Sequence, residues 1–229
     1  MNRDRSYTDL TLEDELVYSS NISMSDVDLR RISDDKAIDR ILCRRKSINQ
    51  SERFNFFWET ESPFSQWFKS KFFGQTFIVK DQEIVRILSG SFPVEGQEYT
   101  SSEQFMMYHK AIIFLDREIA NQIMKTSDVR KIKKLGKQVR NFDQDVWLYF
   151  RSKVVYEGNK SKFFQNEYLK TKLFETKGTT LVEASPNDAI WGIGLTRDDP
   201  RSLKRETWLG ENLLGEILTR LRIDLMGEY

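Results

Sequence analysis

The protein has 229 residues, with 36 Lys and Arg against 35 Asp and Glu, so its formal net charge is only +1. That length suits one domain of ordinary size with an appendage, and the charge balance gives no general attraction for nucleic acid, although it leaves room for a local basic patch. The single cysteine, Cys43, excludes an intramolecular disulfide, and no apolar run reaches the roughly 20 residues of a membrane span, so we expect a cytoplasmic protein without membrane contact.

Residues 1–50 differ in composition from the rest of the chain, since they contain no Phe, Trp, Pro or Gly. Apolar residues between Leu29 and Leu42 recur with helical spacing and precede the basic cluster Arg44-Arg45-Lys46. We expect a charged helical N-terminal extension over residues 1–50, followed by a catalytic domain over 51–229. The extension is interpreted as peripheral, with a docking arm for a partner protein as the alternative.

Residues 51–100 are rich in aromatic side chains and carry strand patterns. Alternation from Gln75 to Val79 predicts one strand, and the stretch around Val94-Glu95-Gly96 predicts another strand with a turn. Helices are predicted over 102–114, 116–126, 128–138, 143–157, 160–175 and 212–226. The predicted fold is therefore α+β: a mainly α-helical single domain with a small β component.

The stretch YTSSEQFMMYHKAIIFLD, from Tyr99 to Asp116, predicts a helix with an unusual face. Glu103, Met106, Met107 and Lys110 share that face, so a carboxylate and an amine flank an apolar strip. Two structural explanations are available: Thr100 as N-cap with Glu103 closing a capping box, and Lys110 reaching out from the edge of the strip. His109 points to the opposite side and is predicted to lie at the surface.

The stretch LVEASPNDAIWGIGL, from Leu181 to Leu195, combines a turn at Ser185–Asp188 with exposed backbone at Gly192 and Gly194. Bare amides beside an acid and a tryptophan suit a ligand with phosphates and a ring, which Trp191 would cover. A tight loop around a buried tryptophan explains the same residues.

Two further stretches are informative. In WLGENLLGEILTRLR, Asn212 is a good helix N-cap, and Gly215 near the helix start indicates close packing or a nearby ligand. In KKLGKQVRNFDQDVW, the charges at Lys134 and Lys137 are typical of a solvated face, whereas Phe142 and Trp147 are predicted to lie in the core.

Several chemistries are excluded by composition. With one histidine and one cysteine, zinc sites of the His/Cys type are absent, and no nucleophile motif accompanies His109. No Walker-type phosphate loop and no GxGxxG motif is present. Catalysis is therefore expected to depend on carboxylates, lysines or tyrosines, without a metal or another cofactor.

Six motifs, taken together and in this order, closely resemble the YbiA-like family, also called NADAR for its association with NAD and ADP-ribose metabolism. They are SPFSQW (62–67), EGQEYTSSEQFMMYHKA (95–111), KKLGKQVRNFDQDVW (133–147), KFFQNEYLKTKLFET (162–176), LVEASPNDAIWGIGL (181–195) and WLGENLLGEILTRLR (208–222). The resemblance covers roughly residues 62 to 225. Two departures stand out: Lys137 replaces an arginine common in the family, and the stretch between Trp67 and Phe92 is lengthened.

The resemblance implies an N-glycosidase that hydrolyses the bond between a ribose C1 and a nitrogen. The substrate classes implied are ADP-ribose attached to guanine in nucleic acid and phosphoribosylated intermediates of riboflavin synthesis, and no metal is implied. A non-catalytic ADP-ribose or nucleotide sensor is the alternative from a different class.

With the resemblance, Glu103 and Lys110 become the predicted catalytic residues. Glu103 would stabilise positive charge on the ribose or activate water, and Lys110 would protonate the leaving base or form a Schiff base with the opened sugar. The residues expected to bind substrate are Ser65, Trp67, Trp147, Asp188, Trp191, Gly192, Gly194, Asn212 and Gly215.

Overall fold

A computed structural model describes residues 52–74, 77–80, 83–86 and 96–227, and the helical extension predicted over residues 1–50 lies outside this range. The described chain is mainly helical with small two-stranded sheets, which confirms the predicted α+β fold class. Within these ranges no helix is both long enough and apolar enough to cross a membrane.

The described residues form six α-helices, in chain order α1 (Ser102–Ile113), α2 (Arg117–Met124), α3 (Val129–Gly136), α4 (Gln144–Phe164), α5 (Glu167–Glu175) and α6 (Leu213–Met226). Asp116, Asp128, Asp143 and Asn166 begin α2 to α5, and the side chain of each accepts a hydrogen bond from an amide in the first turn. Such caps satisfy amides that have no partner within the helix, which explains why these starts agree closely with the sequence pattern.

Within the described ranges, six short strands form three separate pairs. β1 (Phe54–Phe57) pairs in parallel with β6 (Thr180–Glu183), and this register sets Phe57 beside Glu183. β2 (Phe72–Gly74) pairs antiparallel with β5 (Gln97–Tyr99), and β3 (Phe77–Lys80) pairs antiparallel with β4 (Glu83–Arg86). The lengthened stretch after Trp67 therefore contributes β2, β3 and β4.

Helix α4 is longer than predicted, because it runs without a break through Gly158 and Asn159. A Cβ atom on Gly158 would lie 2.6 Å from Cδ1 of Phe105, so the glycine lets α1 approach α4 closely. The Asn159 amide nitrogen donates to the Val155 carbonyl at 2.8 Å and to Gln66 Oε1 at 3.0 Å. The predicted interruption was wrong because contacts with Phe105 and Gln66 stabilise Gly158 and Asn159 within one continuous helix.

Helix α1 is the centre of the fold and packs against α2, α3 and α4. His109 is buried on its inner side, with only 1% of its surface exposed, so its predicted surface position was wrong. Its Nδ1 lies 2.8 Å from the Phe105 carbonyl, and its ring lies 4.0 Å from the Phe105 ring. The histidine therefore belongs to an aromatic cluster in the core.

The N-terminus of α1 is capped differently from the prediction. Ser101, not Thr100, is the N-cap, and its Oγ accepts a hydrogen bond from the Gln104 amide at 3.1 Å. Gln104 Oε1 in turn accepts from the Thr100 amide at 2.8 Å. Because Gln104 takes the capping role, the carboxyl group of Glu103 is free for another function.

Candidate active site

A cavity of ≈ 620 Å³ opens beside the apolar face of α1. Its walls come from α1, α3, the start of α4, the end of β6 and the loops on either side of the β1–β6 pair. A cavity of this size suits a nucleotide-sized ligand. Among its lining residues are seven that the sequence predicted to contact substrate: Ser65, Trp67, Glu103, Lys110, Trp147, Asp188 and Trp191.

Glu103 lies at the inner wall of this cavity, and only 3% of its surface is exposed. Its backbone amide donates to the Gln66 carbonyl at 2.9 Å, which ties the first turn of α1 to the loop before β2. Burial raises the pKa of the carboxyl group to about 7, with Asp188 acting in the same direction, while Lys133 and a hydrogen bond from Trp67 oppose the rise. Glu103 therefore titrates close to neutral pH.

Lys110 lies about 10 Å further along the axis of α1 and is half-buried at the same cavity. Its Nζ is 4.1 Å from the centroid of the Phe142 ring and 5.8 Å from that of Trp147. Burial lowers the pKa of this amine. In the part of the chain that the structure describes, no carboxylate lies within ion-pair distance of Lys110. The main contacts that stabilise its ammonium form are therefore the rings of Phe142 and Trp147.

The two aromatic residues near Lys110 differ in burial. Trp147 is buried, as predicted, and contributes an edge of the cavity wall. Phe142 is 41% exposed, so its predicted core position was wrong. It packs edge-on against Phe114 at a centroid distance of 5.2 Å, and the Lys110 amine lies over its ring.

Ser65 and Trp67 lie on a loop whose backbone is held in place by Lys162 of α4. The Lys162 Nζ donates to the carbonyls of Pro63 at 2.8 Å and Ser65 at 2.9 Å, and the lysine is fully buried. Ser65 Oγ accepts a hydrogen bond from the Trp67 amide at 3.1 Å. These bonds hold the Trp67 side chain against Glu103.

Asp188 and Trp191 lie on the loop that follows β6. Asp188 Oδ1 accepts hydrogen bonds from the amides of Ile190 at 3.0 Å and Trp191 at 2.8 Å, which fixes the turn. The guanidinium carbon of Arg151 lies 5.9 Å from the Trp191 ring, and its Nη2 forms an ion pair with Glu211 at 3.0 Å. The Trp191 ring is therefore held at the cavity wall from two sides.

Glu183 is a functional candidate that the sequence interpretation missed. It ends β6, lines the cavity, and its Oε2 is buried without a hydrogen-bond partner among the described atoms. Burial, together with the nearby acids Asp188 and Glu103, raises the pKa of its carboxyl group to about 8, while Lys133 opposes the rise. The only signal in the sequence was a charged residue at the end of an otherwise apolar strand.

Four exposed cations on or beside α3 line the cavity or a groove next to it, and we call them the basic rim: Arg130, Lys133, Lys134 and Lys137. Lys133 and Lys137 line the main cavity, and all four line a shallow neighbouring groove of ≈ 230 Å³ whose remaining lining residue is Trp67. The Lys133 Nζ lies 5.5 Å from the Trp67 ring. A chain of net charge +1 thus concentrates positive charge beside this cavity.

Four of the residues predicted to bind substrate do not line the cavity: Gly192, Gly194, Asn212 and Gly215. Asn212 is the fully buried N-cap residue of α6, with a left-handed φ of 55°. Its side chain makes no capping hydrogen bond and instead bridges to β6 through the Glu183 amide and the Leu181 carbonyl.

Close packing explains the three glycines. A Cβ on Gly215 would lie 2.2 Å from the Leu181 carbonyl oxygen, and one on Gly192 would lie 2.7 Å from that of Glu183. Gly194 has a φ of +68° beside Leu209. Gly192 and Gly215 therefore allow close packing against the strand that carries Glu183, and none of the three glycines lines the cavity.

Among the described residues, no group of three or more His, Cys, Asp or Glu side chains is arranged to hold a metal ion. The charged groups that line the cavity are carboxyls, ammonium groups and one guanidinium group, and hydroxyl, amide and indole groups accompany them. This set can bind anions, stack on flat rings and exchange protons near neutral pH.

Comparison with protein families gives a match between residues 56–226 and the family model described as the NADAR domain. The fold is similar to the NMR structure of the E. coli protein YbiA, with a TM-score of 0.57 over 80% of this chain and 91% of the other, at 22% sequence identity.

Three curated proteins are similar in sequence. An N-glycosidase of Acanthamoeba polyphaga mimivirus is 45% identical over 152 residues, which is 62% of this chain and 89% of the relative. The irg-1 protein of Caenorhabditis elegans is 35% identical over 78% of this chain and 82% of its own length. The chloroplastic riboflavin biosynthesis protein PYRR of Arabidopsis thaliana is 39% identical over 39% of this chain and 12% of its own length.

Proposed function

The chain belongs to the NADAR domain family, and we propose that it is an N-glycosidase that hydrolyses the bond between a ribose C1 and the nitrogen of a base. One observation carries the proposal: Glu103, a buried carboxyl group titrating near neutral pH, shares a nucleotide-sized cavity with Lys110, a half-buried amine of lowered pKa. The mimivirus relative, named as an N-glycosidase, supports the same reaction class.

Glu103 is suited to the electrostatic part of this reaction. Cleavage of a C1–N bond builds positive charge on the ribose ring, and a nearby carboxylate stabilises that charge or takes a proton from attacking water. Because Lys133 and the Trp67 hydrogen bond favour the ionised form of Glu103, a useful fraction of carboxylate is present at neutral pH despite burial.

Two roles are compatible with Lys110. As an ammonium group it would protonate the leaving base, and as a neutral amine it would attack C1 of the opened sugar and form a Schiff base. Burial lowers the pKa and so favours the neutral amine, whereas the faces of Phe142 and Trp147 stabilise the ammonium form. A carboxylate partner would stabilise the ammonium form, and none lies within ion-pair distance among the described residues.

As the substrate we propose ADP-ribose attached to guanine in nucleic acid. The tryptophans Trp67, Trp147 and Trp191 give stacking surfaces for flat rings. The basic rim continues outward from the cavity into a groove, as expected for contacts with the pyrophosphate and with the phosphates of an attached strand. A reducing compartment such as the cytoplasm fits the single cysteine.

A second candidate substrate is a phosphoribosylated intermediate of riboflavin synthesis. Its support is the sequence similarity to the Arabidopsis riboflavin biosynthesis protein, which covers 39% of this chain. The cavity would use the same carboxyl groups on this smaller conjugate. The groove beyond Trp67 would then have no role in binding, and charge changes in the basic rim would leave turnover of this substrate unchanged.

Catalysis explains the cavity better than ligand sensing does. A receptor for ADP-ribose requires stacking surfaces and phosphate contacts, but buried carboxyl groups with raised pKa values destabilise a folded protein without improving the binding of an anionic ligand. Retaining Glu103 and Glu183 in one cavity is therefore expected of an enzyme. Residues 1–50 remain the candidate contact for a partner protein.

The proposal is tested by incubating the full chain with an oligonucleotide that carries ADP-ribose on guanine, and by mass spectrometry of the products. Wild type should release ADP-ribose and an intact oligonucleotide, and Glu103→Gln should release neither at a comparable rate. If wild type leaves the oligonucleotide unchanged but cleaves a phosphoribosylated riboflavin intermediate, the second substrate replaces the first. Binding of ADP-ribose without any cleavage would support the sensor.

A further inference from the structure

Glu183 is a buried carboxyl group with no part in the reaction steps proposed for Glu103 and Lys110. Its backbone is fixed, because its amide donates to Asn212 Oδ1 at 2.9 Å and its carbonyl accepts from the Ile193 amide at 3.0 Å. Its side chain lines the cavity, with Oε2 buried and lacking a hydrogen-bond partner among the described atoms. A buried polar atom without a partner costs about 1–3 kcal/mol, so this oxygen is expected to meet a ligand.

The surroundings of Glu183 favour its protonated form. Asp188 faces it from the following loop and Glu103 from α1, while Lys133 of α3 is the cation that acts against them. Burial is the largest cause of the raised pKa, which lies at about 8, above the value of about 7 for Glu103. The other charged side chains that line the cavity are Glu59, Lys110, Lys137 and Arg151.

Two carboxyl groups with separated pKa values divide the roles of acid and base in many hydrolases. At neutral pH Glu183 retains its proton while Glu103 is partly ionised. Both line one cavity, so a single bound conjugate can contact the two groups. The protonated Oε2, or its partner oxygen on the same carboxyl group, would then donate to the substrate.

We propose that Glu183 is a catalytic acid that donates its carboxyl proton to the leaving base, an inference that rests on the proposed glycosidase function. As the C1–N bond breaks, its electron pair remains with the base, which takes the proton from Glu183. A water oxygen bonds to C1, and the proton of that water passes to Glu103. The products are a protonated base and a ribose with a C1 hydroxyl group, and one water molecule is consumed.

Transfer of the proton from Glu103 back to Glu183, directly or through solvent, restores both groups for the next turnover. The balance is unchanged if the Lys110 amine bonds to C1 first and water then displaces it. Because Glu183 donates the proton to the leaving base, Lys110 is not needed as the acid and can react with the sugar instead.

The test is the pH dependence of kcat/KM for Glu183→Gln with the ADP-ribosylated oligonucleotide. Glutamine has the same shape and can form hydrogen bonds, but it cannot supply the proton. We expect kcat/KM at neutral pH to fall about 10²- to 10⁴-fold, product binding to be retained, and the alkaline decline near pH 8 to disappear. Glu98→Gln, at the surface ion pair with Lys71, is the matched control and should behave as wild type.

Asp188→Asn tests the assignment while Glu183 is kept. Because the Asp188 charge raises the pKa of Glu183, its removal should move the alkaline decline to lower pH. A decline that stays in place, or a Glu183→Gln variant that keeps wild-type activity and pH profile, would overturn the proposal. If wild type itself cleaves no ribosyl–base bond, the glycosidase function fails instead, so the two failures are distinguishable.

Discussion

The side chain of Trp67 donates a hydrogen bond to the carboxyl group of Glu103. This bond connects a loop residue to the first turn of α1 and stabilises the ionised form of a carboxyl group that burial alone would keep protonated. The loop is itself held by Lys162 of α4. The protonation of Glu103 therefore depends on residues that are far from it in sequence.

Replacing Trp67 with phenylalanine removes the donor and keeps an aromatic face toward Lys133. Loss of the hydrogen bond should raise the pKa of Glu103, so the acidic limb of kcat/KM should move to higher pH by about one pH unit. Trp208→Phe is the matched control, because the Trp208 indole donates to the Ser202 carbonyl at 2.8 Å outside the cavity. An unmoved acidic limb in Trp67→Phe would separate that limb from Glu103.

Lys110 should form a covalent intermediate with the sugar. Borohydride reduction during turnover is expected to attach the ribosyl product to Lys110, identified by peptide mass spectrometry. Lys110→Arg keeps a cation over Phe142 but cannot form a Schiff base, and we expect it to lose the adduct and at least about 10²-fold in kcat. Retained activity in Lys110→Ala would remove Lys110 from the mechanism altogether.

The basic rim should matter for a polymeric substrate and not for a small one. Arg130 and Lys134 line the outer groove but not the main cavity. The double variant Arg130→Gln/Lys134→Gln should raise KM for the ADP-ribosylated oligonucleotide and reduce the slope of its log–log salt dependence by about 2. KM for ADP-ribosylated guanosine should not change.

The matched control for the rim is Lys170→Gln/Lys172→Gln, which removes the same charge from α5 and from neither cavity. Equal effects of both double variants would attribute the change to net charge. Equal kcat/KM of wild type on the oligonucleotide and on the nucleoside would exclude a contribution of the groove.

Much of the fold follows from local sequence signals. The starts of α2, α3, α4 and α5 are set by a carboxylate or amide side chain that caps its own helix, which is local information. The run of α4 through Gly158 and the burial of His109 depend instead on the Phe105 side chain, which contacts both. Such contacts between distant segments cannot be read from periodicity.

The site shows the same division. Glu103 and Lys110 share a helix face, so their spacing alone predicts that they lie together. Glu183 joins them only because β6 ends where α1 and α3 converge, and the strand pattern there indicates burial, not function. Conversely, Gly192 and Asn212 resemble ligand-binding residues in sequence, yet both contact β6. Gly192 has no side chain and so packs closely against the strand, and the Asn212 amide donates a hydrogen bond to it.

Lys162 should contribute to stability through the loop that carries Trp67. Lys162→Met leaves the Pro63 and Ser65 carbonyls without their donor, and we expect the free energy of unfolding to fall by about 1.5–3 kcal/mol. Lys204→Met, at an exposed position, should be close to neutral. Urea denaturation measures both.

The pH dependence of that stability has a defined sign. Burial lowers the pKa of Lys162 from 10.5 to about 7, so between these values the unfolded chain binds the proton that the folded chain has released. Stability conferred through Lys162 should therefore rise with pH from about 7 upward, and this rise should be missing in Lys162→Met. The same slope in both proteins would show that Lys162 keeps its proton when folded.

Cleavage of a ribose C1–N bond by water can be followed by turnover of the ADP-ribosylated oligonucleotide in water labelled with heavy oxygen. We expect one labelled oxygen in the released ADP-ribose, on the ribose that was joined to guanine, and none in the oligonucleotide or the phosphates. Label in a phosphate group, with ribose still attached to the base, would show hydrolysis of the pyrophosphate and would rule out the N-glycosidase reaction.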